Sequence, residues 1–379
     1  MKIALYTIFR CTNYGAVLQA YALARILREM LGEDAVDVIN HRMDPRDNHL
    51  LGKVSNPNTP WFQRWRNRRK FAARYFRHDL FEVRRQKTID LIGTQIRPTE
   101  RMYVRPQEFR NLPPYGTVIV GSDQVWNPGL NHDFGFNPYL AGELPEGQDR
   151  VAYAASFGVA ELPESSREAY RAALSRFRKI TVREESGAAI CRTLLGTRPD
   201  VVLDPTLLLS ADAWLSVVGG KRSGSLVAYW VRTLTPRDVE ALAQIARRAG
   251  ASIRLMSAGP MPKMTLPPEI EPSVDADPFD FVRILADSSA VVTDSFHGLQ
   301  FATLFRKPFV ALGELSDPRS NASRLVDFGA RYGLSGGVHD IESFRSGAPC
   351  PFASFAAFNA AAFDADRDRS MKALEGLLP

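Results

Sequence analysis

Short apolar runs alternate with amphipathic segments along most of the chain, a pattern typical of repeated strand and helix units. The first unit has apolar strands at residues 2–6 and 35–40, with a glycine-containing loop at residues 13–16 between them. Apolar side chains then recur at helical spacing, at Leu18, Tyr21, Ala22, Ile26 and Met30. A strand, a helix and another strand in this order form a βαβ unit, which builds parallel sheets with right-handed crossovers.

The same alternation resumes after residue 115 and fills two further stretches of the chain. The predicted strands lie at residues 117–120, 151–154, 180–182 and 201–203, and then at 226–231, 252–256, 290–293 and 308–311. We therefore predict an α/β protein with two doubly wound, Rossmann-like domains that face each other across a cleft. The predicted domains span residues 1–209 and 210–345, followed by a C-terminal tail and helix at 346–379. A length of 379 residues also suits two cores better than one.

A basic stretch at about residues 41–115 interrupts the first domain and predicts an inserted amphipathic helix. The basic and aromatic residues that carry this prediction are Trp61, Arg64, Trp65, Arg66, Arg68, Arg69, Lys70, Arg74, Phe76, Arg77, Phe81, Arg84, Arg85 and Lys87. One interpretation is that the aromatic stripe packs on the protein while the arginines face water. Two others are contact with an anionic membrane surface and binding to nucleic acid, which no recognition module supports.

Composition restricts the location of the protein more than its function. The formal charge of +6 favours anionic partners without choosing among them. The three cysteines form no CxxC pair, so free thiols in a reducing cytoplasm fit better than disulfides or a zinc site. No apolar run approaches the roughly 18–20 residues that cross a bilayer, and a signal peptide is not evident. We expect a cytoplasmic protein, with a peripheral position at the inner face of the membrane as the one variation.

Polar residues follow several predicted strands, which is the edge of a doubly wound sheet where ligands bind. After the first strand, Asn13 and Gly15 lead into a helix that also carries Gln19. A glycine there lets a ligand approach the backbone, and free N–H groups at a helix start favour an anion. The alternative is an ordinary tight turn with a capping residue. The GxGxxG fingerprint of dinucleotide-binding folds is absent.

A second polar cluster, which includes Ser122, Asp123 and Trp126, follows the strand at residues 117–120. So many polar and turn-forming residues make a poor core, which favours a binding role. Asp123 could accept a proton from an acceptor hydroxyl or hold that hydroxyl, and Trp126 could stack on the face of a sugar. The competing interpretation is that Asp123 caps a helix.

His297 gives the strongest local signal, and Arg183 becomes informative beside it. His297 follows the strand at residues 290–293, where α/β proteins place catalytic groups, and imidazole exchanges protons near neutral pH. Arg183 also follows a strand, and a planar guanidinium suits phosphate and carboxylate. The alternatives are a structural histidine and an Arg–Glu surface pair. The nucleophile elbow GxSxG does not occur and the aspartates are dispersed, so neither a Ser–His–Asp hydrolase nor a metal site is expected.

Six motifs follow one another in a recognisable order. They are NYGA at 13–16 with LQAY at 18–21, GSDQVWN at 121–127, SFG at 156–158, REESG at 183–187, LDPT at 203–206 and SFHG at 295–298. Together they resemble the polysaccharide pyruvyl transferase family over about residues 1–335. The resemblance implies a fold like the GT-B glycosyltransferases and phosphoenolpyruvate as donor, without a cofactor or a metal. It also implies ketal formation on a sugar of a cell-surface glycan or its lipid-linked precursor.

The resemblance also assigns roles to individual residues. Arg183 matches a donor-binding arginine, and His297 matches the family histidine, which suits protonation of the enol phosphate or assistance to phosphate loss. Asp123 is the candidate base for the attacking hydroxyl. Some members have an arginine where this chain has Ser295, and Arg324 would then supply that cation. The other expected substrate contacts are Asn13, Gly15, Gln19, Ser122, Trp126, Ser156 and Ser295 itself.

Two other function classes stay open at this stage. One is a GT-B-like glycosyltransferase that uses a nucleotide-sugar, and the other is a non-catalytic relative that binds glycan or membrane. The fold alone does not separate them, because one architecture hosts many chemistries. The expected partners are phosphoenolpyruvate and a glycan or lipid-linked acceptor, with an anionic membrane as an additional surface and no nucleic acid.

Overall fold

Two parallel β-sheets organise the protein, and we name the halves built on them the N-terminal lobe and the C-terminal lobe. The computed structural model describes residues 2–42, 60–130, 137–219, 224–316 and 322–379. The N-terminal sheet contains β1 (Ile3–Tyr6), β2 (Val36–Val38), β3 (Thr117–Val120), β4 (Arg150–Ala155), β5 (Lys179–Val182) and β6 (Asp200–Val201). The C-terminal sheet contains β7 (Leu226–Trp230), β8 (Ile253–Ser257), β9 (Ile270–Pro272), β10 (Ala290–Thr293), β11 (Phe309–Gly313) and β12 (Val338–Asp340).

Thirteen α-helices accompany these strands in the described part of the chain. The helices up to the lobe junction are α1 (Tyr14–Leu31), α2 (Trp61–Arg74), α3 (His78–Leu91), α4 (Glu164–Leu174), α5 (Glu185–Leu195), α6 (Pro205–Leu208) and α7 (Ala211–Val218). The later helices are α8 (Pro236–Ala249), α9 (Pro278–Asp287), α10 (Phe296–Leu304), α11 (Ser323–Arg331), α12 (Ile341–Arg345) and α13 (Ala360–Glu375). Of the described helices, none is long and apolar enough to span a membrane.

The strand orders confirm the predicted fold class of two doubly wound domains. The N-terminal sheet runs β2-β1-β3-β4-β5-β6 and the C-terminal sheet runs β12-β11-β10-β7-β8-β9, with all neighbours parallel. The order reverses between β1 and β3 in one sheet and between β7 and β10 in the other. Doubly wound sheets bind ligands beyond the carboxyl ends of the strands at such reversals. The predicted domain boundaries at residues 209 and 345 stay predictions.

The central strands are apolar along their whole length because helices cover both faces of a parallel sheet. Every residue of β1, β3, β7, β10 and β11 is buried. Two helix starts beside these strands are set by capping side chains. Asn13 accepts a hydrogen bond from the Gly15 N–H at the start of α1, and Ser295 accepts one from the Gly298 N–H at the start of α10.

Returning segments connect the two lobes. Helix α13 packs back on the N-terminal lobe, where the Ser370 hydroxyl accepts a hydrogen bond from the Leu203 N–H at 2.9 Å. Helix α3 contacts both lobes through Arg84, which is 1% exposed. Its guanidinium donates to the carbonyl of Thr12 at 2.5 Å and to the carbonyl of Ser257 at 2.6 Å. The lobes are therefore held together by specific polar contacts as well as by apolar packing.

The basic insertion forms two helices, α2 and α3, rather than one. Trp61 and Trp65 on α2 are 74% and 56% exposed, whereas Phe81 and Arg84 on α3 are buried. The interpretation that the aromatic stripe packs inward while the arginines face water is therefore wrong for Trp61, Trp65 and Arg84, whereas Phe81 does pack inward. Arg84 is buried because backbone carbonyls surround its guanidinium. Residues 43–59, at the start of the insertion, lie outside the described residues.

Several regular elements are absent from the sequence prediction, among them β9, β12 and α11. Strands β9 and β12 are three residues long and lie at the edges of the C-terminal sheet, where only one of their six residues is buried. Such short, exposed segments carry no period that could be recognised. Helix α11 has no side-chain cap that would mark its start in the sequence.

Candidate active site

The candidate site lies at the carboxyl ends of strands next to both reversal points. Asn13 and Asp123 follow β1 and β3 in the N-terminal lobe, and His297 follows β10 in the C-terminal lobe. Arg183 and Asp204 follow β5 and β6. Helices α1 and α10 begin at this place. The fold therefore brings together residues that are far apart in the sequence.

Asp204 is the centre of the site, because its carboxylate contacts groups from both lobes. Its Oδ2 accepts hydrogen bonds from Arg183 Nη1 at 2.7 Å and Ser122 Oγ at 3.2 Å, and it lies 3.5 Å from His297 Nε2. Its Oδ1 accepts from the N–H and the hydroxyl of Thr206 at 3.0 and 2.8 Å. Burial raises the pKa of Asp204, but His297, Arg183 and the Thr206 N–H outweigh this effect and hold it well below its ordinary value. The ionised carboxylate of Asp204 therefore contacts both the guanidinium of Arg183 and the imidazole of His297.

Arg183 is a buried cation among three carboxylates. Besides its bond to Asp204, its Nη2 lies 3.6 Å from Asp123 Oδ1 and its Nε lies 3.7 Å from Glu184 Oε2. Burial lowers the pKa of Arg183, but the three carboxylates more than offset it and raise the pKa above its ordinary value. Among the described residues, Nε and Nη2 have no hydrogen-bond partner. These N–H groups are donors that an anion can use.

His297 is packed between the lobes with its two ring nitrogens in different surroundings. Nε2 faces Asp204, and the Nδ1 side of the ring rests on Gly15 at the start of α1. A β-carbon at residue 15 would stand 2.1 Å from Nδ1, so only glycine leaves room for the ring. Gly15 therefore makes space for a side chain of the other lobe, which corrects its assignment as a glycine that a ligand approaches.

A cavity of about 250 Å³ opens beside Arg183 and is shared by α10, α11 and α13. Its lining includes Arg183, Asp204, Phe296, Gln300, Arg324 and Asp366. Within the described chain, Oε1 of Gln300 and Oε2 of Glu184 are buried without a hydrogen-bond partner. Such atoms are rare in folded proteins and mark places where a ligand or water completes the bonding. His297 does not line the cavity itself; it is connected to it through Asp204.

Two guanidinium groups lie against the ring of Phe296. The Cζ atoms of Arg183 and Arg324 are each 5.3 Å from its centroid, within the range of a cation–π contact. Burial, and then the charge of Arg183, lowers the pKa of Arg324 to about 10. Two like charges held close together in a buried place attract an anion. This position agrees with the expectation that Arg324 supplies the cation that Ser295 lacks, and the role itself stays a prediction.

Trp126 lies in the core of the N-terminal lobe and not at the site. Its side chain is fully buried, and its Nε1 donates to the carbonyl of Tyr139 at 3.2 Å. Its ring packs against Phe157 and Phe177. A sugar cannot reach this ring, so the interpretation of Trp126 as a stacking surface is wrong.

Four other predicted substrate contacts bond protein atoms instead. Ser122 holds the central carboxylate, and Ser156 Oγ donates to Glu184 Oε1 at 2.6 Å. Gln19 donates from Nε2 to three oxygens of the β1–α1 segment, and Ser295 caps α10. All four side chains are buried. They are positioning residues, which corrects their assignment as substrate contacts.

Asn13 and Asp123 keep accessible polar atoms near the cleft. Asn13 is partly exposed, although its Oδ1 accepts a hydrogen bond from the Gly15 N–H. The side chain of Asp123 is 14% exposed, and its φ of 65° is in the left-handed region. Among the described residues, no α-helix begins between Asp123 and α4, so the alternative that Asp123 caps one is wrong. Both residues stay candidate contacts.

Sequence reasoning does not identify Asp204, Glu184 and Phe296 as site residues. Each lies inside one of the six motifs. Glu184 is next to Arg183, Phe296 is next to His297, and Asp204 directly follows a predicted strand. The available signal for Asp204 is its place directly after a predicted strand and before Pro205. Its central role depends on contacts with Arg183 and with the other lobe, which only the fold shows.

The comparisons with known proteins fit this geometry at the level of the family. A family model described as polysaccharide pyruvyl transferase matches residues 13–316. No curated protein sequence matches the chain significantly. Among solved structures, the UDP-GlcNAc 2-epimerase from Methanocaldococcus jannaschii has 11% identity and a TM-score of 0.45, with 99% of each chain covered.

Two further solved structures are similarly distant. The S. aureus MnaA–UDP structure has 10% identity and a TM-score of 0.48, covering 100% of this chain and 98% of its own. The E. coli heptosyltransferase WaaC with ADP has 12% identity and a TM-score of 0.36, covering 84% and 89%. The family model, which covers most of the chain and all six motifs in full, is the decisive match: the chain belongs to the polysaccharide pyruvyl transferase family.

Proposed function

We propose that this protein transfers a pyruvyl group from phosphoenolpyruvate to two hydroxyls of one sugar, forming a ketal. One observation carries the proposal: Oδ2 of Asp204 contacts both Arg183, at 2.7 Å, and His297, at 3.5 Å. A buried cation and an imidazole from different lobes are thereby held on one carboxylate. This pairing suits a small anionic substrate that must also receive a proton.

Donor recognition would depend on two arginines. Phosphoenolpyruvate carries a phosphate and a carboxylate, and planar guanidinium groups bind both in a bidentate manner. The unpartnered Nε and Nη2 of Arg183 and the charge of Arg324 border the same cavity. Burial, and then the charge of Arg183, lowers the pKa of Arg324, and an anion between the two guanidinium groups would offset both effects.

The chemistry needs one proton donor and one base. C3 of the enol must receive a proton, which converts the methylene to a methyl group and makes C2 electrophilic. We assign this proton to His297, which adjoins the cavity at Asp204, one of its lining residues. A first sugar hydroxyl then adds to C2 and gives its proton to Asp123. A second hydroxyl of the same sugar then attacks C2 and gives its proton back to His297, while the bond from C2 to the phosphate oxygen breaks. Phosphate leaves with the proton that Asp123 took up, so both side chains return to their starting state. Asp204 orients the imidazole during these steps through the negative charge that it holds 3.5 Å from Nε2.

The acceptor would enter from the cleft, on the side of Asn13 and Asp123. Membership of the family supports a polysaccharide, or a lipid-linked precursor of one, as the source of the sugar. Asp123 is the partly accessible carboxylate of the cluster, since Asp204 and Glu184 are buried. This supports Asp123 as the group that meets the hydroxyl.

The proposal is tested by incubating the purified protein with phosphoenolpyruvate and a panel of glycans and lipid-linked sugars. We expect release of inorganic phosphate that requires an acceptor, together with an acceptor mass increased by one pyruvyl ketal. His297→Ala should lower turnover by about 100-fold or more while the protein stays folded by circular dichroism. His339→Ala is the matched control, because His339 lies on the edge strand β12 and bonds to the carbonyl of Pro351.

Two outcomes would overturn the proposal. Transfer from a nucleotide-sugar, with no response to phosphoenolpyruvate, would identify a glycosyltransferase on the same fold. Glycan binding that His297→Ala leaves unchanged, with no turnover of any donor, would identify a non-catalytic relative.

A further inference from the structure

Helix α2 presents large aromatic side chains to solvent. Trp61, Phe62 and Trp65 are 74%, 53% and 56% exposed. A helix on the surface of a globular protein ordinarily turns such residues toward the core. A cluster of exposed aromatic residues on one turn of a helix indicates a contact surface.

The same helix is strongly basic. Its sequence, WFQRWRNRRKFAAR, contains six arginine or lysine residues and no acidic residue. At about 100° per residue, Trp61, Phe62, Trp65 and Arg69 share one face of the helix, and Arg66 and Lys70 flank it. The guanidinium of Arg69 lies 4.8 Å from the ring centroid of Trp65. The exposed face is therefore aromatic in the middle and cationic along one side.

The opposite side of α2 is the side that packs on the protein. The ring of Phe71 lies 4.5 Å from the ring of Tyr75 and 6.0 Å from that of Phe81. The C-terminal end of the helix is fixed to the C-terminal lobe, where the Lys263 N–H donates to the Arg74 carbonyl at 3.0 Å. The helix is thus anchored at its end and offers its first turns to a partner.

We infer that α2 docks the protein onto an anionic lipid bilayer. Tryptophan prefers the interface between lipid and water, where its ring is buried and its N–H stays hydrated. Lysine and arginine beside it are attracted to acidic headgroups. A helix with this combination lies in the plane of the interface. The charge of the helix is complementary to that surface along its whole length.

Two other occupants fit the surface less well. A second copy of this chain related by a two-fold axis would bring the basic residues of α2 against each other, with no acidic residue on the helix to pair with them. Single-stranded nucleic acid also stacks on aromatic residues, but it binds in grooves that follow its backbone. The exposed aromatic residues and Arg69 of α2 lie on a single helix face instead.

The position at which α2 is anchored relates the docking surface to the proposed reaction. The Phe76 N–H, just beyond α2, donates to the carbonyl of Met261 at 2.9 Å, close to the carboxyl end of β8. The helix of 14 residues is about 20 Å long, so its first turn lies about that far from this anchor. If the proposed function holds, a lipid-linked acceptor could reach the site from such a membrane.

The docking is tested on the full-length protein with vesicles of phosphatidylcholine, with and without phosphatidylglycerol, in a flotation assay. We expect binding only to the anionic vesicles. The triple variant Arg66→Gln, Arg69→Gln, Lys70→Gln should bind on the order of 100-fold more weakly, from about fivefold for each charge. Trp61→Ser with Trp65→Ser should also weaken binding, and this loss should persist at high salt, where the charge contribution is screened. Arg192→Gln with Arg248→Gln, both exposed elsewhere, is the control and should bind like the wild type.

Intrinsic fluorescence provides a second measurement that needs no variant. The chain has five tryptophans, and Trp126, Trp214 and Trp230 are fully buried. A blue shift on addition of anionic vesicles, and quenching by brominated lipid, would therefore report Trp61 and Trp65. Equal binding by wild type and both α2 variants would overturn the inference. The inference would also be overturned if vesicles bound neither the wild type nor the tryptophan variant, and the wild type formed a dimer or a complex with single-stranded DNA that the tryptophan variant does not form. Failure here would leave the proposed transfer untouched, because the assay involves no donor or turnover.

Discussion

Gly15 and His297 are in direct contact across the two lobes: the imidazole ring occupies the space where any other residue at position 15 would place its β-carbon. That carbon would stand 2.1 Å from Nδ1 of His297. We expect Gly15→Ala to displace the ring, and with it the contact between Nε2 and Asp204. A misplacement of about 1 Å can lower a rate by roughly 100-fold, so turnover should fall by about that factor.

Gly93→Ala is the matched control for this change, because a β-carbon at Gly93 meets no atom within 4 Å. The measurement is the turnover number together with the thermal melting curve. Wild-type turnover in Gly15→Ala would show that the position of the imidazole is unimportant for the reaction.

Arg84 connects the lobes through backbone carbonyls rather than through carboxylates. It donates to Thr12, Ser257 and Ala258 at 2.5, 2.6 and 2.8 Å, and its Cζ lies 4.1 Å from the ring centroid of Tyr14. Arg84→Ala leaves these buried carbonyls without a donor, so the free energy of unfolding should fall by roughly 3–5 kcal/mol.

Urea denaturation measures this loss, and Arg192→Ala on the exposed side of α5 should change stability by no more than about 0.5 kcal/mol. If the two variants were equally stable, Arg84 would not hold the lobes together.

Trp126 is predicted to serve stability and not sugar binding. Trp126→Phe removes the hydrogen bond from Nε1 to the carbonyl of Tyr139 and part of a buried ring. We expect a loss of about 1–3 kcal/mol in the free energy of unfolding, with an unchanged KM for the acceptor. A raised acceptor KM in a protein of wild-type stability would restore the interpretation that this ring stacks on a sugar.

The buried carboxyl of Asp294 should make the folded protein less stable as the pH rises. Its buried carboxyl accepts the N–H groups of Val231 and Arg232, and burial raises its pKa from 3.8 to about 6. Because the folded protein binds this proton more tightly than the unfolded chain, the group favours folding below pH 3.8, and that contribution is lost as the pH rises past 6.

Asp294→Asn removes this titration and keeps the shape of the side chain. Between about pH 5 and about pH 8, the variant should gain about 1.4 kcal/mol of stability relative to the wild type. Urea unfolding of both proteins at the two pH values checks this. A difference in stability that does not change with pH would contradict the raised pKa.

The fold could be predicted from the sequence because buried parallel strands are continuous apolar runs. Residues 117–120 and 290–293 are predicted with the bounds that the structure gives. The strands β9 and β12 escape prediction because each has only three residues at a sheet edge. Their place is fixed by pairing with β8 and β11, which is tertiary information.

The site could be predicted only in part from the sequence, because the sequence shows which polar residues follow the strands but not the direction in which their side chains point. Ser122, Ser156 and Gln19 lie at the predicted edge but bond protein atoms inside it. Trp126 turns into the core although its neighbours are polar. Asp204 could not be identified from the sequence, because its role depends on contacts with Arg183 and His297. The fold brings both of these residues to Oδ2 of Asp204.

The most direct test of the account is calorimetric titration of phosphoenolpyruvate into the wild-type protein and into Arg183→Lys. Lysine keeps the charge but loses the planar fork whose Nε and Nη2 are available to an anion. The account predicts that phosphoenolpyruvate binds the wild type and binds the variant at least about tenfold more weakly. Equal affinity for the two proteins, or binding of a nucleotide-sugar in place of phosphoenolpyruvate, would contradict it.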